Sequence, residues 1–325
     1  MNLETIEKLQ KNFPSILIDE PMSKHTNLRI GGPAKLFYAA DTVEDLIDAL
    51  QIARREQIPW YVFGGGSNML VSDDGFDGLM IQIAFRDIKM RSKSVTADAG
   101  AITASLARQT VEAGLSGLEW AVGIPGTVGG AVFGNSGAWG GEIKDTLVSV
   151  DCIDLATMKQ IVYPNAVCSF GYRDSRFKHE PHIILRATFG LKPAEDSTKL
   201  TTRMNEIMNE RKEKQPTDNP SAGCIFKNFV FKDESEIEKL KNEVKDIPVE
   251  MLDRKSLSAG WLVSQSGMKG ERIGDAQISE KHGNFIINLG NARAQDILML
   301  TSKVKMKIRD EYNILLEDEV QLAGF

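Results

Sequence analysis

Two glycine-rich segments are the first feature of this sequence that could bind a ligand. One follows the apolar run 60–63, which has the composition of a buried strand, and the other lies at 123–131. Because glycine has no Cβ, successive backbone N–H groups in such a loop can converge on one anion, such as a pyrophosphate. The candidate residues are Gly64, Gly65, Gly66, Ser67 and Asn68 in the first glycine loop and Gly123, Ile124, Pro125, Gly126, Thr127, Gly129, Gly130 and Ala131 in the second.

The first glycine loop, taken alone, is equally compatible with a tight turn between strands that binds nothing. The second loop favours a ligand, and a long one that lies close against the main chain. Neither loop has the GxGxxG pattern leading into a helix, and the GxxxxGK[ST] pattern is absent from the chain. The two most common nucleotide-binding folds are therefore disfavoured.

Composition limits the classes of partner. With 39 basic and 45 acidic residues the chain has no basic excess, so we expect no nucleic acid partner. Three widely spaced cysteines and four histidines predict neither a disulfide framework nor a metal site. Residues 1–8 lack the pattern of a secretory signal, and the glycine-rich stretch 118–139 is broken by Pro125. We therefore expect a cytoplasmic protein without membrane insertion, and no obligate protein partner is implied.

Hydrophobic periodicity predicts the elements that position the loops. Apolar residues recur at helical spacing in 41–56, after the candidate N-caps Asp41 and Thr42. Ten of the 28 glycines fall between Gly114 and Gly141, which predicts loop or tightly turned backbone there. Further predictions are helices at 102–113 (ended by Gly114), 198–214, 235–242, 256–265 and 294–312, strands at 60–63, 79–83, 95–99, 147–153, 182–189, 285–289 and 314–322, and a linker at 215–220.

Six motifs span nearly the whole chain: NLRIGGPA at 27–34, GGGSN at 64–68, GIPGTVGGA at 123–131, YRDS at 172–175, SAGCIFKN at 221–228 and LEDEV at 316–320. In this order they resemble the motifs of the UDP-N-acetylenolpyruvoylglucosamine reductases. Only 50 residues lie between Arg173 and Cys224, too few for the extra tyrosine-bearing loop of the family's longer class. The chain therefore resembles the shorter class.

The resemblance implies an α+β protein with the vanillyl-alcohol-oxidase (PCMH-type) FAD-binding fold. It implies FAD-binding subdomains at 1–86 and 87–214 and a C-terminal α+β substrate domain at 215–313, with a strand at 314–325 that can return to the first subdomain. The implied activity is the NADPH-dependent reduction, through tightly bound FAD, of UDP-N-acetylglucosamine enolpyruvate to UDP-N-acetylmuramate in peptidoglycan precursor synthesis. The glycine loops would then hold the FAD.

Reducing an enol ether requires a hydride on one alkene carbon, a proton on the other, and stabilisation of the enolate character that develops between. The resemblance assigns the catalytic roles to Arg173, Cys224 and Glu319. Cys224 stands where the family usually has a serine as the proton donor. A thiol can replace it, because a reference pKa of about 8.5 leaves it mostly protonated near neutral pH. For the substrate, the resemblance points to Tyr172, Lys214, Asn228 and His282.

Each of these residues also has a purely structural interpretation. Arg173 could be exposed and paired with a nearby aspartate, and Cys224 could be a small buried apolar residue. Glu319 belongs to a run of acids that could face solvent. Lys214 could complement the end of a helix, and His282 could be a structural histidine.

Two other functions remain open from the sequence. A flavin oxidase of the same fold could act on another sugar or alcohol. A nucleotide-sugar-binding protein could have no catalytic activity, in which case it would be colourless and bind UDP-sugars without FAD.

Overall fold

The computed structural model describes residues 6, 9–11, 13–244 and 246–325. These residues form two compact units. Unit 1 contains the chain up to Glu20 with Pro33–Gly66 and Phe76–Glu213, and unit 2 contains Pro21–Gly32, Ser67–Gly75 and Lys214–Phe325. The predicted division into three domains stays a prediction.

Unit 1 contains a four-stranded sheet in the order Leu17–Pro21, Pro33–Ala40, Phe76–Ile83, Trp60–Phe63. The last three strands run parallel, and the helix Val43–Arg55 connects two of them. The helix begins at Thr42 with a capping box, since the Thr42 and Asp45 side chains each accept the other's backbone N–H at 3.0 Å.

Unit 1 also contains a five-stranded antiparallel sheet, in the order Lys159–Pro164, Leu147–Asp154, His182–Gly190, Ser94–Asp98, Ile88–Arg91. Side chains from both sheets, among them Ile81 and Phe189, share one buried cluster. The remaining elements of unit 1 are four helices, three 3-10 helices and two pairs of short strands. The helices are Thr103–Glu112, Val128–Phe133, Ile143–Thr146 and Ser197–Lys214, the 3-10 helices are Glu119–Gly123, Asn165–Val167 and Arg176–Lys178, and the strand pairs are Leu115–Ser116 with Lys192–Pro193 and Gly137–Ala138 with Gly141–Glu142.

Unit 2 is built on a four-stranded antiparallel sheet and the helix Ala294–Tyr312. Ile297, Leu300, Val304 and Ile308 recur every three or four residues and bury one face of this helix in the unit's own core. The sheet order is Ser221–Cys224, Phe285–Asn288, Ala276–Ile278, Arg272–Ile273. The other elements are the strand pairs Met69–Val71 with Gln321–Ala323 and Phe229–Val230 with Ser256–Leu257, the helices Glu234–Glu243, Val249–Asp253 and Ala259–Gln265, and the 3-10 helix Met22–Lys24.

Most predicted elements are confirmed within one to three residues at each end. The helix Thr103–Glu112 ends as predicted, with Gly114 in the left-handed region at φ +70°. The strand Pro33–Ala40 was not predicted. Among the described residues, no helix is both long enough and apolar enough to cross a membrane. The expectation of no secretory signal concerns residues 1–8, which apart from Ile6 lie outside the described residues.

Two element predictions are wrong, and a third has a shifted boundary. The strand predicted at 314–322 is a strand only at Gln321–Ala323. The helix predicted at 256–265 is present but begins at Ala259, because Ser258 Oγ caps it by accepting from Trp261 N at 3.3 Å. The glycine-rich stretch predicted as loop contains the helix Val128–Phe133. Tertiary packing outweighs the low helix propensity of glycine there.

Candidate functional site

The two glycine loops contact each other within unit 1. A Cβ on Gly64 would lie 2.2 Å from Thr127 Oγ1, which is far too close for any carbon–oxygen contact. A Cβ on Gly65 would lie 3.1 Å from Gly126 Cα, which is tighter than nearly all carbon contacts. Glycine is therefore required on the first loop because the second loop occupies the space of a side chain.

Two threonine hydroxyls beside this contact are buried and have no hydrogen-bond partner among the described residues. They belong to Thr103 and Thr127. The same two segments are joined by a backbone bond from Thr103 N to Gly126 O of 3.1 Å. A buried polar group without a partner costs about 1–3 kcal/mol, so such groups commonly mark a place for a ligand or water. Close main-chain approach and unpaired hydroxyls together fit a long phosphate-bearing cofactor such as FAD.

The second glycine loop is fixed on the neighbouring segment of unit 1. Val128 N donates to Ala101 O and Gly129 N donates to Ala99 O, both at 2.8 Å. A Cβ on Gly129 would lie 2.8 Å from Ala99 Cβ, so this glycine is required for packing. The Arg211 guanidinium donates to the carbonyl oxygen of Gly123. The loop is thus rigidly held at both ends.

Arg173 lies in a tight turn and has φ +53°, in the left-handed region. The turn is closed by Gly171 and Asp174, whose backbone groups bond each other in both directions. Arg173 Nη2 donates to Gly137 O at 2.8 Å, and its guanidinium lies 5.2 Å from the centre of the Tyr172 ring. Lys178 Nζ donates to the Arg173 carbonyl at 2.7 Å. The half-buried guanidinium therefore has a defined direction.

The turn that carries Arg173 is tied to the end of the second glycine loop's helix. Ser175 Oγ donates to Phe133 O at 2.7 Å, and Asn135 Nδ2 donates to Gly171 O at 2.8 Å. The helix Val128–Phe133 thus has the glycine loop at one end and the Arg173 turn at the other. Unit 1 therefore brings a predicted cofactor-binding loop close to the turn that carries the predicted catalytic residue Arg173.

Cys224 and Glu319 lie on adjacent segments in unit 2. Cys224 ends its strand opposite Phe285, and Glu319 N donates to the carbonyl of the next residue, Ile225, at 2.8 Å. Asn68 also joins this region, because its Nδ2 donates to Glu319 O at 3.0 Å. Three residues predicted from separate motifs therefore meet in one unit.

The three acids at the C-terminus have different surroundings. Glu317 is exposed and pairs with Lys227 at 3.1 Å. Asp318 pairs with Lys305 at 2.5 Å. Glu319 is only half-exposed.

The cysteines also differ from one another. Cys152 and Cys168 are fully buried, and burial raises the pKa of their thiols to about 12 and about 11, respectively. Cys224 is partly accessible. Of the three, Cys224 is therefore the most accessible. In the described part of the chain, no cluster of side chains is suited to a metal ion.

The predicted substrate residues lie in different settings. Lys214 is exposed at the end of the helix Ser197–Lys214. Asn228 Oδ1 accepts from Ala259 N at 3.2 Å. Burial, with the nearby charge of Lys269, lowers the pKa of His282. His282 Nδ1 accepts from Asn284 N at 3.2 Å, which assigns the proton of the neutral ring to Nε2.

Sequence reasoning missed the residues that hold Arg173. Asn135, Glu142, Ser175 and Lys178 contribute through contacts that bridge up to 42 residues of chain, which periodicity cannot detect. Ser175 lies inside the motif YRDS at 172–175, in which the sequence assigned a role only to Tyr172 and Arg173. The only local signal at Asn135 is its residue type, because asparagine is, after glycine, among the residues that best tolerate a positive φ, and φ is +42° here.

Comparisons with known proteins agree with this site. Residues 34–161 match an FAD binding domain, and residues 215–323 match the C-terminal domain of UDP-N-acetylenolpyruvoylglucosamine reductase. The reductases of that name from Caldicellulosiruptor bescii and Clostridium botulinum are 39% and 37% identical, over 97% and 95% of this chain and 93% of each relative.

A solved structure extends the agreement to the fold. The crystal structure of UDP-N-acetylenolpyruvylglucosamine reductase from Thermus caldophilus is 34% identical and superposes with a TM-score of 0.73, covering 95% of this chain and 98% of that one. The α+β, PCMH-type FAD-binding fold predicted from the sequence is confirmed. This chain belongs to the UDP-N-acetylenolpyruvoylglucosamine reductase family.

Proposed function

We propose that this chain is a UDP-N-acetylmuramate dehydrogenase, which reduces UDP-N-acetylglucosamine enolpyruvate with NADPH and FAD in peptidoglycan precursor synthesis. The observation that carries the proposal is the close contact of two glycine loops beside unpaired threonine hydroxyls, in a chain of this family. The substrate is a small UDP-sugar. The supply of NADPH is consistent with action in the cytoplasm.

The cofactor would be held by the glycine loops. Backbone N–H groups of residues 64–68 and 123–131, with the hydroxyls of Thr103 and Thr127, are suited to the pyrophosphate and to the polar edges of the ring. Bound FAD supplies the hydride that reaches one carbon of the enolpyruvyl double bond.

Arg173 would stabilise the negative charge that develops on the substrate. As a hydride reaches one alkene carbon, the carboxylate conjugated to the double bond gains enolate character. A guanidinium fork matches a carboxylate in shape and charge. Fixed donors of this kind are commonly worth about 10²–10³ in kcat.

Cys224 would complete the reduction by giving its S–H proton to the other alkene carbon, and the resulting thiolate would regain a proton from solvent. Glu319 would orient that donor or act with Arg173 on the enolate. The alkene thereby gains one hydride and one proton, which balances the reaction. Tyr172, Lys214, Asn228 and His282 would bind the nucleotide and the sugar, with lysine as a point charge for the diphosphate.

Steady-state assays on the purified protein test the proposal. The protein should be yellow, and NADPH oxidation should require the enolpyruvyl UDP-sugar and consume no oxygen in step with it. Oxygen consumption at the rate of NADPH oxidation would instead indicate a flavin oxidase. A colourless protein that binds the UDP-sugar would indicate a binding protein.

A further inference from the structure

We propose that Asn135 is a positioning residue for Arg173, and that it acts by holding both the Arg173 turn and the carboxylate of Glu142. The inference rests on the proposed role of Arg173 and extends it. It follows from three hydrogen bonds of one buried side chain and from the charges grouped around the guanidinium.

Asn135 is completely buried and uses its whole amide group. Its Nδ2 donates to Gly171 O at 2.8 Å and to Glu142 Oε2 at 2.9 Å. Its Oδ1 accepts from Lys144 N at 3.1 Å. These bonds connect the Arg173 turn to the short strand and helix that follow residue 140. No other residue type has two donors and an acceptor in this compact form and also tolerates a left-handed backbone.

Glu142 is an acid whose carboxylate lies close enough to the Arg173 guanidinium for the two charges to interact. A Cβ on Gly137 would lie 2.7 Å from Glu142 Cγ and 3.4 Å from Arg173 Nη1, so both side chains flank this glycine. Although burial raises the pKa of Glu142, hydrogen bonds from Lys144 and Asn135 and the charges of Lys144 and Arg173 lower it overall. Glu142 is therefore ionised near neutral pH.

Asn135 and Lys144 both hold the carboxylate of Glu142. Lys144 Nζ pairs with Glu142 Oε2 at 2.8 Å, and the same oxygen accepts from Asn135. The Arg173 guanidinium donates to Gly137 O. Without Asn135, Glu142 could turn toward Arg173 and compete with the substrate's carboxylate.

A double-mutant cycle tests whether Asn135 acts through Arg173. Asn135→Asp keeps the size and the backbone tolerance but replaces the donors with an acceptor that faces Gly171 O and Glu142. We expect kcat for UDP-sugar reduction to fall about 10²-fold, as a small misplacement of a catalytic group can cause. In an Arg173→Lys background the same change should cost less than about threefold, because the effects of coupled residues are not additive.

Asn165→Asp is the matched control. Asn165 Nδ2 anchors the same segment through Lys144 O at 2.8 Å and Leu147 O at 2.9 Å but is not bonded to the Arg173 turn. Its variant should retain wild-type kcat. If Asn135→Asp does not fold, Asn135→Ser, which keeps one donor, takes its place in the cycle with a smaller expected loss.

Ligand binding gives a readout that general damage would not produce. Asn135→Asp should weaken binding of the enolpyruvyl UDP-sugar about tenfold, the size of one charged contact. Binding of UDP-N-acetylglucosamine, which lacks the carboxylate, should not change, and neither should FAD content or flavin reduction by NADPH.

Additive effects in the cycle, or equal weakening of both ligands, would overturn the role of Asn135 while leaving the proposed function intact. If the wild-type protein does not reduce the UDP-sugar, or if Arg173→Lys has wild-type kcat, the proposed function of the chain or of Arg173 fails instead.

Discussion

At the scale of single residues, the most unusual feature is a cysteine at the position that we propose for the proton donor. Cys224 follows Gly223, whose φ of +79° suits glycine, and it ends a strand with its thiol partly accessible. The two other cysteines are buried with raised pKa values, so they are poorly placed to react. This contrast favours a chemical role for Cys224 over a packing role.

Replacing the thiol should separate the two halves of the reaction. In Cys224→Ala, NADPH should still bleach the flavin at the wild-type rate, because that half needs no proton donor from the protein. Turnover should fall by about 10²–10⁴, the usual contribution of a general acid. Cys224→Ser should keep measurable turnover. Stopped-flow absorbance of the flavin measures both halves, and wild-type turnover in Cys224→Ala would exclude the assigned role.

Glu142 should contribute to stability in a pH-dependent way. Its pKa in the folded protein lies below the ordinary value of 4.5, so its stabilising effect is present above that pH and is lost as pH falls through the lowered pKa. Glu142→Gln should therefore lower the Tm at pH 7, and the difference from wild type should shrink between about pH 5 and pH 3. A constant difference in Tm over that range would show that ionised Glu142 does not stabilise the fold.

At the scale of elements, the site depends on close approach of two main-chain segments. The space between Gly64 and Thr127 cannot contain a methyl group, because a Cβ would lie 2.2 Å from the threonine oxygen. The loops can therefore meet only if glycine is retained. The same argument does not apply to every glycine nearby, since a Cβ on Gly134 would have its nearest neighbour at 3.7 Å.

Gly64 and Gly134 should consequently respond differently to the same small substitution. Gly64→Ala should force the loops apart and reduce the amount of FAD that copurifies with the protein, as measured by the ratio of flavin to protein absorbance. Gly134→Ala should keep full FAD content and an unchanged Tm. Equal FAD content in the two variants would mean that contact between the loops is not needed for the cofactor.

Local signals in the sequence were enough to predict several elements. The Thr42 cap, the apolar spacing that follows it and Gly114 define two helices through bonds within a few residues. Both glycine loops were also identifiable, because dense glycine outside a regular pattern is typical of backbone that must turn tightly or approach a ligand closely. The strand prediction at 314–322 was wrong over most of its length because Ile314 and Leu316 are buried outside any strand, and residues 317–319 pair with 225–227 only through an isolated bridge and two backbone bonds.

Other parts of the site depend on contacts between distant segments. Asn135 bonds a turn 36 residues away, and nothing in its neighbours along the chain predicts that partner. The helix Val128–Phe133 is likewise selected by the fit of Gly129 against Ala99 rather than by propensity. Residues whose side chains could take part in catalysis or binding could be found from the sequence, but the residues that orient them could not.

At the scale of the whole molecule, each unit is assembled from separate segments of the chain. The first glycine loop ends one segment of unit 1 at Gly66, and Ser67 begins a segment of unit 2 that pairs with the C-terminal strand Gln321–Ala323. Unit 2 thus combines Pro21–Gly32 and Ser67–Gly75 with Lys214–Phe325. The proposed reaction likewise draws on residues from the whole length of the chain.

An anaerobic titration tests whether the reduced flavin delivers its hydride to the enolpyruvyl UDP-sugar. Protein reduced with one equivalent of NADPH and freed of NADP⁺ is mixed with the enolpyruvyl UDP-sugar, while flavin absorbance and product mass are recorded. We expect full return of the oxidised flavin spectrum with one equivalent, and a product heavier than the substrate by two hydrogens. A flavin that stays reduced after the UDP-sugar is added, and regains its colour only when air is admitted, would contradict this expectation.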